Sequence, residues 1–246
     1  MKFIGVDLGW SSGASGLCCL EWCDGVLKIR ELTTILDLED ILTWIDRLTD
    51  INLPAMIAVD APTIITNQTG MRLCDKLTHK YFGRYHAGCY PANLNLKFAP
   101  RTTGFSQSLL TKKFQHAPEI ELQQPGRYQI EVFPHPATVN LFGLNKILKY
   151  KKGRLAERRL ELNKLRQHIV ETLPKLEPTL SLSTTKLIPT IAHKQTGKEL
   201  KAIEDKLDSI ICAYVAAYWW YWGAAKNIVL GNLKEGFIVI PTDLRK

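Results

Sequence analysis

Apolar residues recur along this chain with two periods, and the changes between them mark its elements. Residues 3–7 form a short apolar run that ends on Asp7, and Gly9, Ser11, Ser12 and Gly13 follow as a turn. Residues 15–22 and 26–32 are β-rich runs on either side of Cys23-Asp24-Gly25, and the Asp-Gly pair is a hairpin signal. Strands one to three are therefore expected as an antiparallel meander. Leu38, Ile41, Leu42, Ile45 and Leu48 change to helical spacing, with Asp37 placed as a cap. Residues 55–60 return to a continuous apolar run, again ending in an acid, Asp60, and halted by Pro62.

Periodicity is lost over 62–128, where Pro91, Pro100, Pro118 and Pro125 interrupt every pattern, so this stretch reads as an insertion with short helices. A fifth strand is expected over 127–133, closed by Pro134 and Pro136. Leu155, Leu162, Leu165, Ile169 and Leu173 form one helical stripe, and the Ser-, Thr- and Pro-containing stretch 176–198 reads as a loop or a short strand pair. From about 199 to 222 the pattern is a helix that begins amphipathic and becomes apolar on nearly all sides, so it has to be buried. Residues 227–241 read as two short strands around Lys234-Glu235-Gly236. The pattern as a whole predicts an α/β fold, a mixed five-stranded sheet flanked by helices, in a single domain over 1–246 with the insertion after the fourth strand.

A chain of 246 residues with 46% hydrophobic content can bury one large core. Its start has no apolar run suited to a signal peptide and no stretch suited to a membrane span, so a cytoplasmic protein without membrane association is expected. The six cysteines form no CxxC pair, and the spacing of Cys74, His79, His86 and Cys89 matches no common zinc pattern, so reduced and mostly buried thiols are expected. The charge of +8 is unevenly placed. Residues 62–128 hold nine Lys or Arg against three Asp or Glu, and residues 145–175 hold ten against three, which leaves the rest of the chain acidic. Two basic segments on an acidic body suit a polyanion, with nucleic acid as the expected partner; a solvated surface is the plain alternative.

Three strands place an acid in an apolar setting: Asp7 in FIGVDLG, Asp60 in MIAVDAP and Glu131 in YQIEVFP. A buried carboxylate needs a partner, a proton or a metal. Asp205 and Asp208 add two more acids, three apart and so on one face of the last long helix. Clustered carboxylates are what Mg²⁺ or Mn²⁺ requires, and two such ions can activate water for phosphodiester cleavage. Each acid has an ordinary reading as well: Asp7 and Asp60 as turn caps, Asp205 as the partner of Lys201 or Lys206. Taken together, Asp7, Asp60 and Asp208 are expected as principal metal ligands, with Glu131 and Asp205 as supplementary ligands or a proton acceptor.

The ordered runs IGVDLGW, IAVDAP, RLCD, IEVFPHPA and DKLDSIICAYVAAYW, which span nearly the whole chain, resemble the predicted RNase-H-like nucleases of domain of unknown function 429. The resemblance implies a ribonuclease-H fold whose metal-binding acids fall on Asp7, Asp60, Glu131, Asp205 and Asp208. Two acids three apart on the last helix also resemble Holliday-junction resolvases. Trp10-Ser11-Ser12 and Ser209 depart from that family's pattern without removing an acid.

Arg72, Lys151, Lys152, Arg154 and Arg158 are the expected substrate-phosphate contacts, the last four within the densest basic run; for Arg72 an ion pair with Asp75 is the competing reading. Tyr81, Phe82, Arg84, Tyr85, His86 and Tyr90 interleave rings and cations as base-stacking surfaces do, or as a small local core would. Trp219, Trp220, Tyr221 and Trp222 read as core bulk, with a homodimer contact as the alternative. His135 reads as a turn histidine or as a proton carrier. The function expected is a metal-dependent nuclease-like phosphodiesterase on nucleic acid. Two rivals stand beside it. VDLGWSSGASG resembles the first phosphate loop of the actin and sugar-kinase superfamily, which implies nucleotide-phosphate binding, and a non-catalytic nucleic-acid-binding module would keep the same acids.

Overall fold

A computed structural model describes residues 1–11 and 13–242, so Ser12 of the expected turn lies outside the described residues. The meander forms as the pattern predicts: β1 (Lys2–Asp7), β2 (Ser15–Cys23) and β3 (Val26–Ile35) pair antiparallel in sequence order. The helix α1 (Leu38–Leu48) then returns the chain so that β4 (Ala55–Val59) lies parallel to β1. Beyond it come α2 (Leu73–Phe82), α3 (Ala99–Thr111), the two-residue β5 (Gln115–His116) and β6 (Arg127–Glu131), which is parallel to both β4 and β5.

The main sheet therefore has six strands, in the order β3-β2-β1-β4-β6-β5, where the sequence pattern predicts five. The additional strand is two residues long and comes from the 62–128 segment; it is too short to display an alternation. Pro134 and Pro136 end the strand as expected but also open a helix, α4 (Pro134–Leu141), because a proline in the first helical turn leaves no intrahelical donor unmet. α5 (Leu155–Thr172) carries the predicted stripe on Leu162, Leu165 and Ile169. The long helix α6 (Gly197–Trp222) begins two residues earlier than expected, behind an N-cap at Thr196, whose side chain accepts from the Glu199 amide while the Glu199 carboxylate bonds back to Thr196. The last two strands, β7 (Asn227–Asn232) and β8 (Gly236–Pro241), form a separate hairpin joined to the main sheet by a bridge between Val132 and Val239.

Strand alternation divides the core into two layers. Phe3, Met56, Ala58 and Ile130 face α6, α5 and α4, while Ile4, Val6, Ile57 and Val59 face Ile41 and Ile45 of α1 and Phe105 and Leu109 of α3. Trp219 and Trp220 lie in the first layer, and Tyr221 and Trp222 are half-buried at its edge. Although α6 is largely buried, no helix among the described residues is long and apolar enough to cross a membrane.

The helix α6 lies unusually close to the sheet, and two glycines allow it. A Cβ at Gly5 would stand 2.0 Å from the Ser209 carbonyl oxygen, and one at Gly16 would stand 1.9 Å from that of Asp205. Gly16 pairs with Asp7 across the β1–β2 ladder, so the same close approach brings Asp205 and Asp208 to the end of β1. Either methyl would have to push helix backbone away, because a backbone atom has no rotamer with which to give. Gly5→Ala is expected to destabilise the protein by about 3 kcal/mol or more and to lower Tm accordingly. Gly13→Ala, whose Cβ would meet nothing within 4 Å, should change stability by no more than about 0.5 kcal/mol. Thermal unfolding of the two variants side by side checks the assignment.

Candidate functional site

β1, β4 and β6 run parallel and in register, and each delivers an acid at or just past its C-terminal end, the edge of an open α/β sheet where ligands bind. Asp7 closes β1, Asp60 follows β4 with its amide on the Val6 carbonyl at 2.8 Å, and Glu131 closes β6. Alternation then separates them. Asp7 continues the Phe3–Gly5 side and Asp60 the Met56–Ala58 side, both toward α6, whereas Glu131 follows Gln129 on the opposite face. Asp205 and Asp208 come from α6 to join Asp7 and Asp60. All five are buried, Asp208 completely.

The cation among the aspartates is Lys151. Its Nζ lies 2.8 Å from Asp208 Oδ2, a charge contact outside hydrogen-bond alignment, and 4.0 Å from Asp60 Oδ2. Asp208 Oδ1 accepts from the Tyr150 hydroxyl at 2.7 Å, so consecutive residues hold both oxygens of one carboxylate. Asp7 Oδ2 is buried without a hydrogen-bond partner. Burial pushes the Asp7 carboxyl well above its ordinary range, with Asp208, Asp60 and Asp205 adding to the rise and Lys151 opposing it. Asp60 is pushed up to about 7, again mainly by burial. Burial alone would lower the Lys151 pKa, but the surrounding acids, Asp208 first, more than offset it and keep the ammonium charged. With 31% of its side chain meeting solvent, Lys151 contacts Asp208, stands 4.0 Å from Asp60, and feels the charge of Asp7 as well.

The other two acids have their own cations. Asp205 is ion-paired with Lys201, one turn earlier on α6, which also holds Glu204 at 2.9 Å. Glu131 is gripped by Arg72, with Nη2 to Oε1 at 2.6 Å and Nη1 to Oε2 at 2.9 Å, and it accepts from the Thr63 amide at 2.9 Å. The same guanidinium reaches Asp75 Oδ1 at 2.8 Å and the Ile64 carbonyl at 2.9 Å. Arg72, expected to contact phosphate or Asp75, is thus only 3% exposed and ties the start of α2 to the end of β6.

The expected phosphate contacts divide in the same way. Lys151 lies within the acids; Lys152 is exposed at the rim, where its Nζ donates to the Tyr90 hydroxyl at 2.6 Å. Arg154 is exposed at the start of α5 and lies outside the cleft lining. Arg158 donates to the Tyr150 carbonyl at 3.0 Å and reaches Glu204 at 3.3 Å, so it props the segment that carries Tyr150 and Lys151. His135, in the first turn of α4, has an unpartnered Nδ1, and burial, with Lys151 nearby, lowers its pKa to about 4, so it is neutral at pH 7. Three participants escape the sequence pattern: Tyr150 looks like core, and Gly5 and Gly16 carry no sign that a helix backbone will press on them.

Asp7, Asp60, Glu131, Asp205, Lys151 and His135 line a cleft of about 690 Å³, and Asp208, fully buried, is not among its lining residues. The loop after β1, with Trp10, makes one wall; Trp10 packs on Phe98 and donates to the Asp60 carbonyl at 3.2 Å. Lys149, Lys152, Tyr90 and His86 line the mouth. As the side chains stand, no three His, Cys, Asp or Glu residues among the described ones are grouped to hold an ion. All six cysteines are free thiols.

A family model described as a protein of unknown function, DUF429, matches residues 5–229, and that description states no activity. No curated protein and no solved structure matches the chain.

The raised Asp60 pKa has a definite sign in stability. The unfolded chain releases this proton near 3.8 and the folded one only near 7, so the contribution is full below the lower value and is lost as pH rises through the upper. His135 acts oppositely: its folded pKa near 4 lies below the ordinary 6.5, so its contribution is lost as pH falls between the two. Metal-free Asp60→Asn should therefore gain Tm relative to the parent as pH rises from 4 to 7, by several degrees at the upper end. A constant offset across that range in a pH series of thermal melts would contradict it. Arg72→Met should cost about 3–5 kcal/mol in denaturant unfolding, because Glu131 and Asp75 would be left buried without their cation.

Proposed function

We propose that the chain, which belongs to the DUF429 family, is a divalent-metal-dependent phosphodiesterase that acts on nucleic acid through a ribonuclease-H-like fold. The strand order supports the fold: an antiparallel meander whose first strand continues into two parallel neighbours. The observation that carries the function is the gathering of Asp7, Asp60 and Asp208 near one ammonium, that of Lys151, which lines with Asp7 and Asp60 a cleft that also bears Lys149 and Lys152.

The donor set fits a hard divalent ion. It consists of carboxylate oxygens, one of them on Asp7 without a partner, beside an ammonium that already meets Asp208 at 2.8 Å. Asp7, Asp60 and Asp208 are the residues that would hold Mg²⁺ or Mn²⁺, with Lys151 as the ion's competitor. Bound there, the metal would lower the pKa of a water and offset charge on a phosphoryl oxygen. The chain's own groups do the rest. Lys149 and Lys152 neutralise the phosphates of a polyanion at the mouth. Trp10, fixed on the Asp60 carbonyl, narrows the cleft beside the acids. Arg72 fixes Glu131 and opposes the rise that burial gives its carboxyl, and Arg158 and Tyr150 hold Asp208 in position.

Purified protein with Mn²⁺ or Mg²⁺ is expected to cleave RNA or DNA oligonucleotides. Asp7→Asn should reduce the rate by more than the roughly 10- to 100-fold typical of losing an outer-shell partner. Absence of cleavage across single-stranded, duplex and junction substrates would contradict the reading. Lys151→Met tests the competition directly. Two unit charges 4 Å apart near a surface repel by about 4 kcal/mol, so calorimetry should show Mn²⁺ binding tightened by at least about tenfold; unchanged or weaker binding would count against the metal site.

A further inference from the structure

Tyr90 is 65% exposed, yet it lines the cleft. No other ring packs against it among the described residues; its contact is Lys152, whose Nζ bonds its hydroxyl and lies 5.3 Å from the ring centroid. An exposed aromatic face contributes little to folding, since the apolar area it offers stays in water. Its position is nonetheless fixed, because Lys152 is the next residue after Lys151 and Lys151 is anchored among the aspartates. Tyr90 and Lys152 line the same cleft as Asp7, Asp60 and Lys151, so the exposed ring stands at its lip.

We propose that Tyr90 is a stacking platform for an unpaired base and Lys152 a contact for the neighbouring phosphate, so that the substrate is single-stranded nucleic acid. The proposal rests on the phosphodiesterase reading for the place of the reacting phosphate. Its physical basis is access to the π-face. In a duplex each base is covered above and below by its neighbours, and a lone ring at a cleft mouth has no face to meet; an unpaired base has one free. The cation beside the ring suits the phosphate that follows any such base, and Trp10, held on the Asp60 carbonyl, lines the same cleft. Stacking of this kind tolerates any base, so weak sequence preference is expected with strong preference for single strands.

The test is fluorescence anisotropy with labelled dT and U dodecamers and a twelve-base-pair DNA duplex, performed without metal so that nothing is cut. The parent protein should bind both single strands more tightly than the duplex. Tyr90→Ala should weaken single-strand binding by roughly 5- to 150-fold, leave duplex binding and Tm unchanged, and be rescued by Tyr90→Phe, which keeps the ring. Equal affinity for single strands and duplex, equal losses on both in Tyr90→Ala, or no loss at all would overturn the proposal. The two readings separate cleanly: cleavage with Tyr90-independent binding overturns only the platform, whereas ring-dependent single-strand binding without metal-dependent cleavage sustains the platform and overturns the phosphodiesterase. A protein that binds none of the three overturns both.

Discussion

Three buried carboxylates lie close together, and the repulsion and desolvation that follow have to be met by a proton or a positive charge. Lys151 provides it, and much of the surrounding structure serves to keep that arrangement in place. Asp208 is held at one oxygen by Tyr150 and at the other by Lys151, and Arg158 supports the Tyr150 backbone from α5. On the opposite side, α6 can bring Asp205 and Asp208 to Asp7 only because Gly5 and Gly16 present no side chain to its backbone. The geometry of the acids is thus set by steric permission at two glycines and by charge at one lysine, and neither acts without the other.

The five acids are not chemically equivalent. Glu131 and Asp205 are satisfied by Arg72 and Lys201, which makes them elements of local order as much as possible donors. Asp7 and Asp60 have no dedicated cation and share what Lys151 offers. Burial raises both, and Asp60, near 7, is the group whose charge is most easily changed by a visiting cation. This division follows from strand parity. Asp7 and Asp60 fall on the α6 face of the sheet and Glu131 on the other, where Arg72 approaches from the start of α2.

Much of this was readable from residue order. The hairpin at Asp24-Gly25, the acid at the end of each parallel strand and the buried last helix all appear as local patterns, and the structure contains them. Parity, too, is encoded: Gln129 and Glu131 alternate with Ile130 and Val132, but only the packed sheet shows which face belongs to α6. What escapes is long-range or too short to repeat. β5 has two residues and no period. The prolines at 134 and 136 look like strand terminators, and their second role as helix starters appears only once a helix follows. Lys151 reads as one cation of a basic run, because nothing in its neighbours says that this lysine alone turns inward. A glycine under a helix backbone looks like any other glycine.

In the proposed reading, the aspartate cluster is a cation site in which Lys151 stands where a metal would bind. Diffraction data at the manganese absorption edge, from crystals grown with manganese, test it most directly. An anomalous peak bounded by Asp7, Asp60 and Asp208 is expected, with the Lys151 ammonium withdrawn from Asp208. A cluster without such a peak, and with Lys151 still in its ion pair, would contradict it.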